Sequence, residues 1–369
     1  MTQEHGAPKV SILVLNYNSY GFIDVVLNAL NAICDLDYPH DKYELIIVDN
    51  GSTDGSFEKI KNFLEGKTFL KKKIIKLKRN LGFTGGNNVA YRARDPECEY
   101  VVLLNNDVIP DPEGLRILIE FIYSRPDIAA VQGVLLRLQS DLVDSAGNFL
   151  TEALFPILFM NGKELASVPR RAYFCSYTTG AYSVYRVKAV EKAVRFRDKL
   201  FYDFIFAYFD DSYLGLKLWN AGQKSATLPI VVGRHFGSAS FKQRKPLLTY
   251  LSVRNHLIAL EVSDSKYRWL VKLARLREVA ANPISRFVRR GRFKDETVRF
   301  KIKAIADGIR LGKRLRSMGE FIDIYKAPLV RLGMLNAAPL LPLREPFRRS
   351  LSKLIEKRLH KLIDNLYVE

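Results

Sequence analysis

The strongest constraint on the fold of this chain is the alternation of two hydrophobic periods over its first 135 residues. Short apolar runs of strand length occur at Val10–Leu15, Leu45–Val48, Ile74–Leu77, Tyr100–Leu104 and Ile128–Val131. Between them lie segments whose apolar residues recur with helical spacing, such as 22–33 and 115–122. Continuous apolar strands that alternate with helices predict an α/β fold, with a mostly parallel sheet covered by helices on both faces.

Small hydrogen-bonding residues follow four of these predicted strands. The four segments are Asn16–Ser19, Asp49–Gly55, Arg79–Asn88 and Asn105–Asp107. Turn and helix-cap preferences would explain any one of them. Because ligands of such sheets bind beyond the carboxyl ends of the strands, four such segments in succession predict a ligand site at this edge.

Three of the segments contain residues suited to a nucleotide. A carboxylate such as Asp49, held at a strand end, can accept hydrogen bonds from a base or a ribose hydroxyl. Gly82, Gly85 and Gly86 would let the backbone approach a phosphate closely at the start of a helix. Asp107 offers a hard oxygen ligand for Mg²⁺ or Mn²⁺ bound together with a diphosphate.

Taken together, these motifs resemble family 2 of the inverting nucleotide-sugar glycosyltransferases, which have the GT-A fold. The resemblance rests on Val10–Asn18, Val48–Gly55, Asn80–Asn88 and Leu103–Asp107, and it extends over about residues 8–260. The subgroup most similar in these motifs includes rhamnosyltransferases and other enzymes of cell-surface glycan synthesis.

The resemblance implies roles for individual residues on the donor side. Asp107 and His235 would hold a divalent metal, Mn²⁺ or Mg²⁺, although the metal segment has Asn105 and Asn106 where the family has further acids. A structural role for His235 is the alternative, and Arg254 could either steady a diphosphate or be structural. The implied nucleotide-sugar-binding residues are Asn16, Asn18, Asp49, Gly82, Gly85, Asn87, Asn106 and Arg254.

The second half of the resemblance concerns the acceptor side. Thr179–Arg186 is similar to a glycine-containing strand of the family, and Phe206–Gly215 is similar to its acidic segment, with Asp211 at the catalytic base and Tyr213 in place of a third acid. Two adjacent acids among aromatic residues favour a raised carboxyl pKa, as a general base needs. The same two acids would also suit the start of a helix, and the two interpretations are compatible.

The excess positive charge of the chain lies in its last third. Residues 241–369 carry 30 Lys and Arg against 12 Asp and Glu, whereas the preceding residues carry 28 against 27. Segments 298–315 and 346–366 are amphipathic, with Leu or Ile stripes amid basic residues, so they either pack on the protein or lie on an anionic membrane. Nucleic acid ranks lower as a partner, because few aromatic residues accompany the basic ones.

The sequence predicts two regions: a GT-A domain over residues 1–260, with a nucleotide half at about 8–135 and an acceptor half at about 136–260, and a basic helical region over 261–369. No apolar run reaches 18 residues and no basic segment precedes an apolar one at the N-terminus, which favours a cytoplasmic protein peripheral to the inner membrane face. The predicted function is inverting transfer from a nucleotide-diphosphate sugar to a hydroxyl of a saccharide or lipid-linked glycan. Transfer to polyprenyl phosphate and non-catalytic binding of nucleotides or nucleic acid are the alternatives.

Overall fold

The computed structural model describes residues 6–68, 71–237, 245–281, 296–333 and 345–369, with only the backbone described at 245, 280–281, 296–297 and 345–353. The chain forms two compact units. The first comprises residues 1–148, 158–240 and 368–369, and the second comprises 149–157 and 241–367.

The first unit contains a large sheet and the helices that cover it. Its helices are α1 (Ile23–Cys34), α2 (Ser56–Glu65), α3 (Gly82–Arg92), α4 (Gly114–Tyr123), α5 (Val187–Val194) and α6 (Asp210–Asn220). Its strands are β1 (Val10–Asn16), β2 (Tyr43–Asp49), β3 (Lys72–Lys76), β4 (Tyr100–Asn105), β5 (Val108–Pro110), β6 (Ile128–Arg137), β7 (Val143–Ser145), β10 (Tyr173–Phe174), β11 (Tyr182–Arg186) and β12 (Lys224–His235).

The central sheet has the strand order β10-β12-β6-β11-β4-β1-β2-β3, with β5 paired to β12 and β7 to β6. Strands β1, β2, β3 and β4 are parallel to their neighbours in this group, as the sequence predicts, and β6 is parallel to β12. Strand β11 lies antiparallel between β4 and β6, so the sheet is mixed. The carboxyl ends of β1, β2 and β4 are therefore neighbours at one edge.

Successive side chains of the parallel strands belong in turn to two hydrophobic clusters, one on each face of the sheet. Ile12 of β1 belongs to one cluster with apolar residues of α1, α2 and α4, whereas its neighbour Leu13 belongs to the other with residues of α3, α5 and α6. Both faces of a parallel sheet must be buried, which is why β1, β2 and β4 are predominantly apolar. The predicted α/β fold with helices on both faces is confirmed.

The second unit is mainly helical, as predicted for the C-terminal region. Its helices are α7 (Lys245–Val262), α8 (Arg268–Ala281), α9 (Glu296–Ser317) and α10 (Glu345–Ile363). Strand β13 (Leu329–Val330) pairs in parallel with β8 (Asn148–Thr151), and β9 (Pro156–Leu158) follows along the chain. Among the described helices, none has the length and apolar character needed to cross a membrane.

Helices α7 and α9 lie close together because α9 has two glycines where it meets α7. A Cβ atom built on Gly308 would lie 2.7 Å from the carbonyl oxygen of Arg254, and one on Gly312 would lie 2.5 Å from Cβ of Glu261. Real Cβ atoms do not tolerate such distances, so any larger residue would force the two helices apart.

Candidate active site

The carboxyl ends of three strands are joined by one buried amide. Asn16, at the end of β1, donates from Nδ2 to Oδ1 of Asp49, at the end of β2, at 2.8 Å. Its own Oδ1 accepts a hydrogen bond from Nδ2 of Asn106, just after β4, at 3.0 Å. The three predicted donor-site residues are thus brought together, with Asn16 acting as the link.

A second set of hydrogen bonds fixes the loop after β2. The second carboxylate oxygen of Asp49 accepts from the backbone N–H of Ser52 at 2.9 Å. Asn18, with a left-handed φ of 47°, donates its backbone N–H to Oγ of Ser52 and accepts from the N–H of Thr53, both at 2.9 Å. Asn tolerates this conformation better than most residues, which explains its use here.

Gly82 opens helix α3 with a φ of +79° and no room for a side chain. Its N–H donates to Oδ1 of Asn80 at 2.7 Å, and the N–H of Thr84 donates to the carbonyl of Phe206 at 3.0 Å. A Cβ atom on Gly82 would lie 2.5 Å from that same carbonyl oxygen. Because Gly82 has no side chain, the backbone of Phe206 can approach it this closely. The N–H groups of Gly82 and Thr84 both donate hydrogen bonds within the protein.

The other two predicted residues of α3 are also closely packed. A Cβ atom on Gly85 would lie 2.8 Å from Cβ of Leu81. Asn87 is buried and donates from Nδ2 to the carbonyl of Phe83 at 2.9 Å, while its Oδ1 is buried with no hydrogen-bond partner. An unsatisfied buried acceptor is costly, and Thr84 Oγ1 and Tyr91 Oη of the same helix share this state, so Asn87 is one of three residues of α3 that could bind a further donor.

Helix α6 begins with a buried Asp210 and a partly exposed Asp211. Asp211 accepts from the N–H of Ser212 at 2.7 Å and from the N–H of Gly180 at 3.4 Å. Burial raises the pKa of both carboxyls, and the charge of Asp211 raises the pKa of Asp210 further. Hydrogen bonds from backbone N–H groups oppose the rise at both acids, but the charge of Asp211 acts on Asp210, so Asp211 is the favoured carboxylate of the pair.

The segment that leads into this acid pair has an unusual backbone. Phe206, Tyr208 and Phe209 have φ values of 67°, 63° and 69°, a region that bulky residues rarely adopt. Each such residue costs about 1–3 kcal/mol, and the surrounding structure must compensate. Sequence reasoning recognised the acids but had no signal for the strained segment that positions them.

Backbone hydrogen bonding places the acid pair beside the end of β4. The N–H of Asn105 donates to the carbonyl of Ala181 at 2.8 Å, and the preceding residue, Gly180, contacts Asp211. Asp107 follows Asn105 by two residues. Asp211, the predicted base, is therefore linked through Gly180 and Ala181 to the carboxyl end of β4, and Asp107, the predicted metal ligand, follows the same strand end.

The two predicted metal ligands face each other. His235 Nε2 lies 3.3 Å from Oδ1 of Asp107, and its Nδ1 lies 2.8 Å from Oδ2 of Asp144. Burial lowers the pKa of His235, but the two carboxylates outweigh it and raise the pKa to about 10. The part of the chain that the structure describes has no group of three or more His, Cys, Asp or Glu that could hold a metal by itself.

Asp144 is a residue that sequence reasoning missed. It lies on the short strand β7, and 91 positions separate it from His235. The segment Val143–Ser145 has no motif that marks a functional residue. In metal sites a carboxylate commonly fixes the ring of a ligating histidine in this way, so the pair suits an imidazole oriented toward Asp107.

Arg254, the last predicted donor-site residue, lies on α7 in the second unit. Its Nε donates to Oδ1 of Asn255 at 2.9 Å, and its guanidinium lies 5.5 Å from the ring centroid of Tyr250. These contacts hold the side chain against its own helix.

Comparison with known proteins gives one family and several distant relatives. Residues 11–194 match the family described as Glycosyl transferase family 2. The chain is 29% identical over 124 residues to the poly-beta-1,6-N-acetyl-D-glucosamine synthase of Staphylococcus epidermidis, covering 34% of this chain and 28% of that protein. It is 30% identical over 115 residues to the poly(ribitol-phosphate) beta-N-acetylglucosaminyltransferase TarS of Staphylococcus aureus, covering 31% and 19%.

The chain thus spans less than a third of the length of these two curated relatives. Among solved structures, it is similar to the mannosyltransferase PcManGT of Pyrobaculum calidifontis, solved with GDP-Man and Mn²⁺. The TM-score is 0.50 at 18% identity, and the match covers 97% of this chain and 86% of the other. At this identity the likeness concerns the fold.

Proposed function

The chain belongs to glycosyl transferase family 2 through residues 11–194 and has the GT-A fold, and from this premise we propose that it transfers a sugar from a nucleotide-diphosphate sugar to a hydroxyl group, with inversion. The acceptor we propose is a saccharide or a lipid-linked glycan. The names of the two curated relatives, a poly-beta-1,6-N-acetyl-D-glucosamine synthase and a poly(ribitol-phosphate) beta-N-acetylglucosaminyltransferase, support this acceptor class.

The observation that carries the proposal is the acid pair at the sheet edge. Asp211 is a partly exposed carboxylate with a raised pKa, and it contacts Gly180 next to the strand that leads to Asp107. We propose that Asp211 takes the proton of the acceptor hydroxyl as its oxygen bonds to the anomeric carbon. The bond from that carbon to the diphosphate breaks on the opposite face, and the diphosphate leaves with the electron pair.

On the donor side, we propose that Asp49 and Asn106 face the nucleotide and that Asn16 positions both of them. Each carboxylate oxygen has two lone pairs, so Asp49 can accept a ligand N–H or O–H in addition to its bonds from Asn16 and Ser52. Asn18 fixes the same loop. The proposed roles of Gly82, Gly85, Asn87 and Arg254 in donor binding rest on the family motifs.

A divalent cation fits between Asp107 and His235 because carboxylate and imidazole are ligands that Mn²⁺ accepts, and Asp144 already orients the ring. When bound there, the cation would offset the negative charge of the diphosphate. Two protein ligands are few, so the diphosphate must complete the coordination. PcManGT, which shares the fold, was solved with Mn²⁺.

We further propose that the protein works at the inner face of the cytoplasmic membrane, where lipid-linked acceptors are found. The excess positive charge of residues 241–369 supports an anionic membrane as partner, and nucleic acid ranks below it. A thermal-shift screen of UDP-, GDP- and dTDP-sugars with Mn²⁺ would identify the base and the sugar of the donor.

The test of the reaction is Asp211→Asn, with Asp198→Asn as the control. Asp198 is an exposed acid 3.8 Å from Arg92, and it lies outside the acceptor-side motifs Thr179–Arg186 and Phe206–Gly215. We expect Asp211→Asn to lower turnover on a hydroxyl acceptor by about 10²–10⁴-fold while nucleotide affinity by calorimetry is unchanged. Near-native turnover on a hydroxyl acceptor would refute the role of Asp211. Retained transfer to polyprenyl phosphate, which is already ionised, would instead assign that acceptor.

A further inference from the structure

The two amphipathic stripes that the sequence offered to a membrane are partly buried within the second unit. In α9, Val298 and Ile305 are buried, and the glycines of this helix bring it against α7. In α10, Leu359 and Ile363 are buried. Of the predicted stripe residues, Ile302 is exposed. These four buried side chains are therefore not available to lipid.

Helix α8 presents an apolar stripe to solvent instead. Trp269 is 66% exposed, Leu273 37% and Leu276 54%. Their spacing of four and three residues places them within about 60° on one side of a helix. Val271 and Ala274, on the opposite side, are buried and hold the helix to its unit. Trp269 is thus not in the core.

The charges around this stripe select its partner. Helix α8 has four basic residues and a single acid, Glu278. At 100° per residue, Lys272 and Arg277 flank the stripe on its two sides, and Glu278 lies on the far side of the helix. Lys272 is ion-paired with the buried Glu261, which fixes its position, and Arg277 is exposed. The stripe is therefore flanked by an exposed cation, Arg277, on one side and by an ion-paired lysine on the other, in a region with strong excess positive charge.

We propose that α8 docks on an anionic lipid surface, with Trp269, Leu273 and Leu276 inserted at the headgroup level and Arg277 near lipid phosphates. Trp favours this level of a bilayer, and basic residues near anionic lipid strengthen the binding. A second copy of the same surface would bring like charges together. Single-stranded nucleic acid would find only one aromatic ring to stack on. The proposal does not depend on the transfer reaction.

The direct test uses the fluorescence of Trp269 in the full chain. The chain has two tryptophans, and the other, Trp219, donates from Nε1 to the carbonyl of Cys175. In a Trp219→Phe variant all indole emission comes from Trp269. We expect a blue shift on adding phosphatidylglycerol vesicles, quenching by brominated acyl chains, little response to phosphatidylcholine vesicles, and partial reversal at high salt.

Sedimentation with the same vesicles tests the residues. Trp269→Ala should weaken partitioning about tenfold, and Leu273→Glu with Leu276→Glu should abolish it. Leu158→Glu is the matched control, because Leu158 is 56% exposed but belongs to the first unit, and it should leave binding unchanged. Circular dichroism and thermal melting verify that each variant is folded.

Four outcomes would overturn the proposal. The first is unchanged Trp269 emission at saturating anionic vesicles, and the second is equal binding to neutral and anionic vesicles. The third is vesicle binding that the α8 variants do not weaken. The fourth is an emission shift that occurs without vesicles, on raising the protein concentration or adding single-stranded RNA. The last would assign the stripe to a second copy or to nucleic acid. Loss of transfer activity without loss of vesicle binding would bear on the proposed function alone.

Discussion

Replacing Gly82 by alanine is expected to be strongly destabilising, for a reason that can be separated experimentally into two parts. The residue has a φ of +79°, which costs an L-residue about 1–2 kcal/mol. In addition, the new Cβ would lie 2.5 Å from the carbonyl oxygen and 2.6 Å from ring atoms of Phe206. The carbonyl oxygen belongs to the backbone, and the ring atoms are Cγ and Cδ2, which lie close to it, so neither contact can be relieved by moving the end of a flexible side chain.

Gly222 supplies the control that isolates the backbone part. Its φ of +76° is nearly the same, but a Cβ there would meet nothing within 4 Å. Alanine also reduces the entropy of the unfolded chain, which offsets part of the cost, so Gly222→Ala should lose about 1 kcal/mol. The close contact with Phe206 adds an overpacking cost, typically 1–3 kcal/mol, so Gly82→Ala should lower the free energy of unfolding by about 3 kcal/mol.

Urea unfolding followed by circular dichroism measures the stability of both variants. Their Tm should fall by about 2–4 °C for each kcal/mol of lost stability in a domain of this size. Phe206→Gly removes the ring and relieves its own positive φ of 67°. The double variant should therefore be less destabilised than the sum of the singles, by about 1 kcal/mol. If Gly82→Ala and Gly222→Ala lose the same stability, the contact with Phe206 is not what requires glycine, and the reasoning is refuted.

Three further predictions concern the metal pair and one buried histidine. Asp144→Asn should weaken Mn²⁺-dependent nucleoside-diphosphate binding by about 10–100-fold, because His235 loses the carboxylate that orients its ring. Calorimetry with and without Mn²⁺ measures this affinity, and an unchanged affinity would contradict the prediction. Asp107→Ala should abolish the Mn²⁺ enhancement of nucleoside-diphosphate binding, whereas tight Mn²⁺ binding to the nucleotide-free protein that survives this substitution would count against the assignment. Burial, with the charge of Arg275, lowers the pKa of His256 from 6.5 to about 3. Between these values the unfolded chain binds the extra proton, so the unfolding free energy should fall by about 1.4 kcal/mol per pH unit as pH drops below 6.5. His256→Asn should remove that part of the slope in urea titrations, and an unaltered slope would exclude His256 as its source.

Much of the fold and of the strand-end edge could be predicted from the sequence, because the signals are local. The core of a buried strand such as β2 is a continuous apolar run, Leu45–Val48, and the polar segment that begins at Asp49 marks where the strand ends. Parallel pairing in register then places Asn16 opposite Asp49. Such features depend on the period of a short window, which the chain carries whatever lies around it.

Other features depend on which distant side chains meet, and no window of sequence contains that information. The contact of Asp144 with His235, the approach of Phe206 to Gly82 and the antiparallel insertion of β11 join segments that are far apart in the chain. The helical stripes show the same limit. Their spacing identifies amphipathic helices, but α9 turns its stripe toward α7 whereas α8 leaves Trp269 exposed. Periodicity determines that a helix has an apolar face, and only the arrangement of its neighbours decides whether that face is buried.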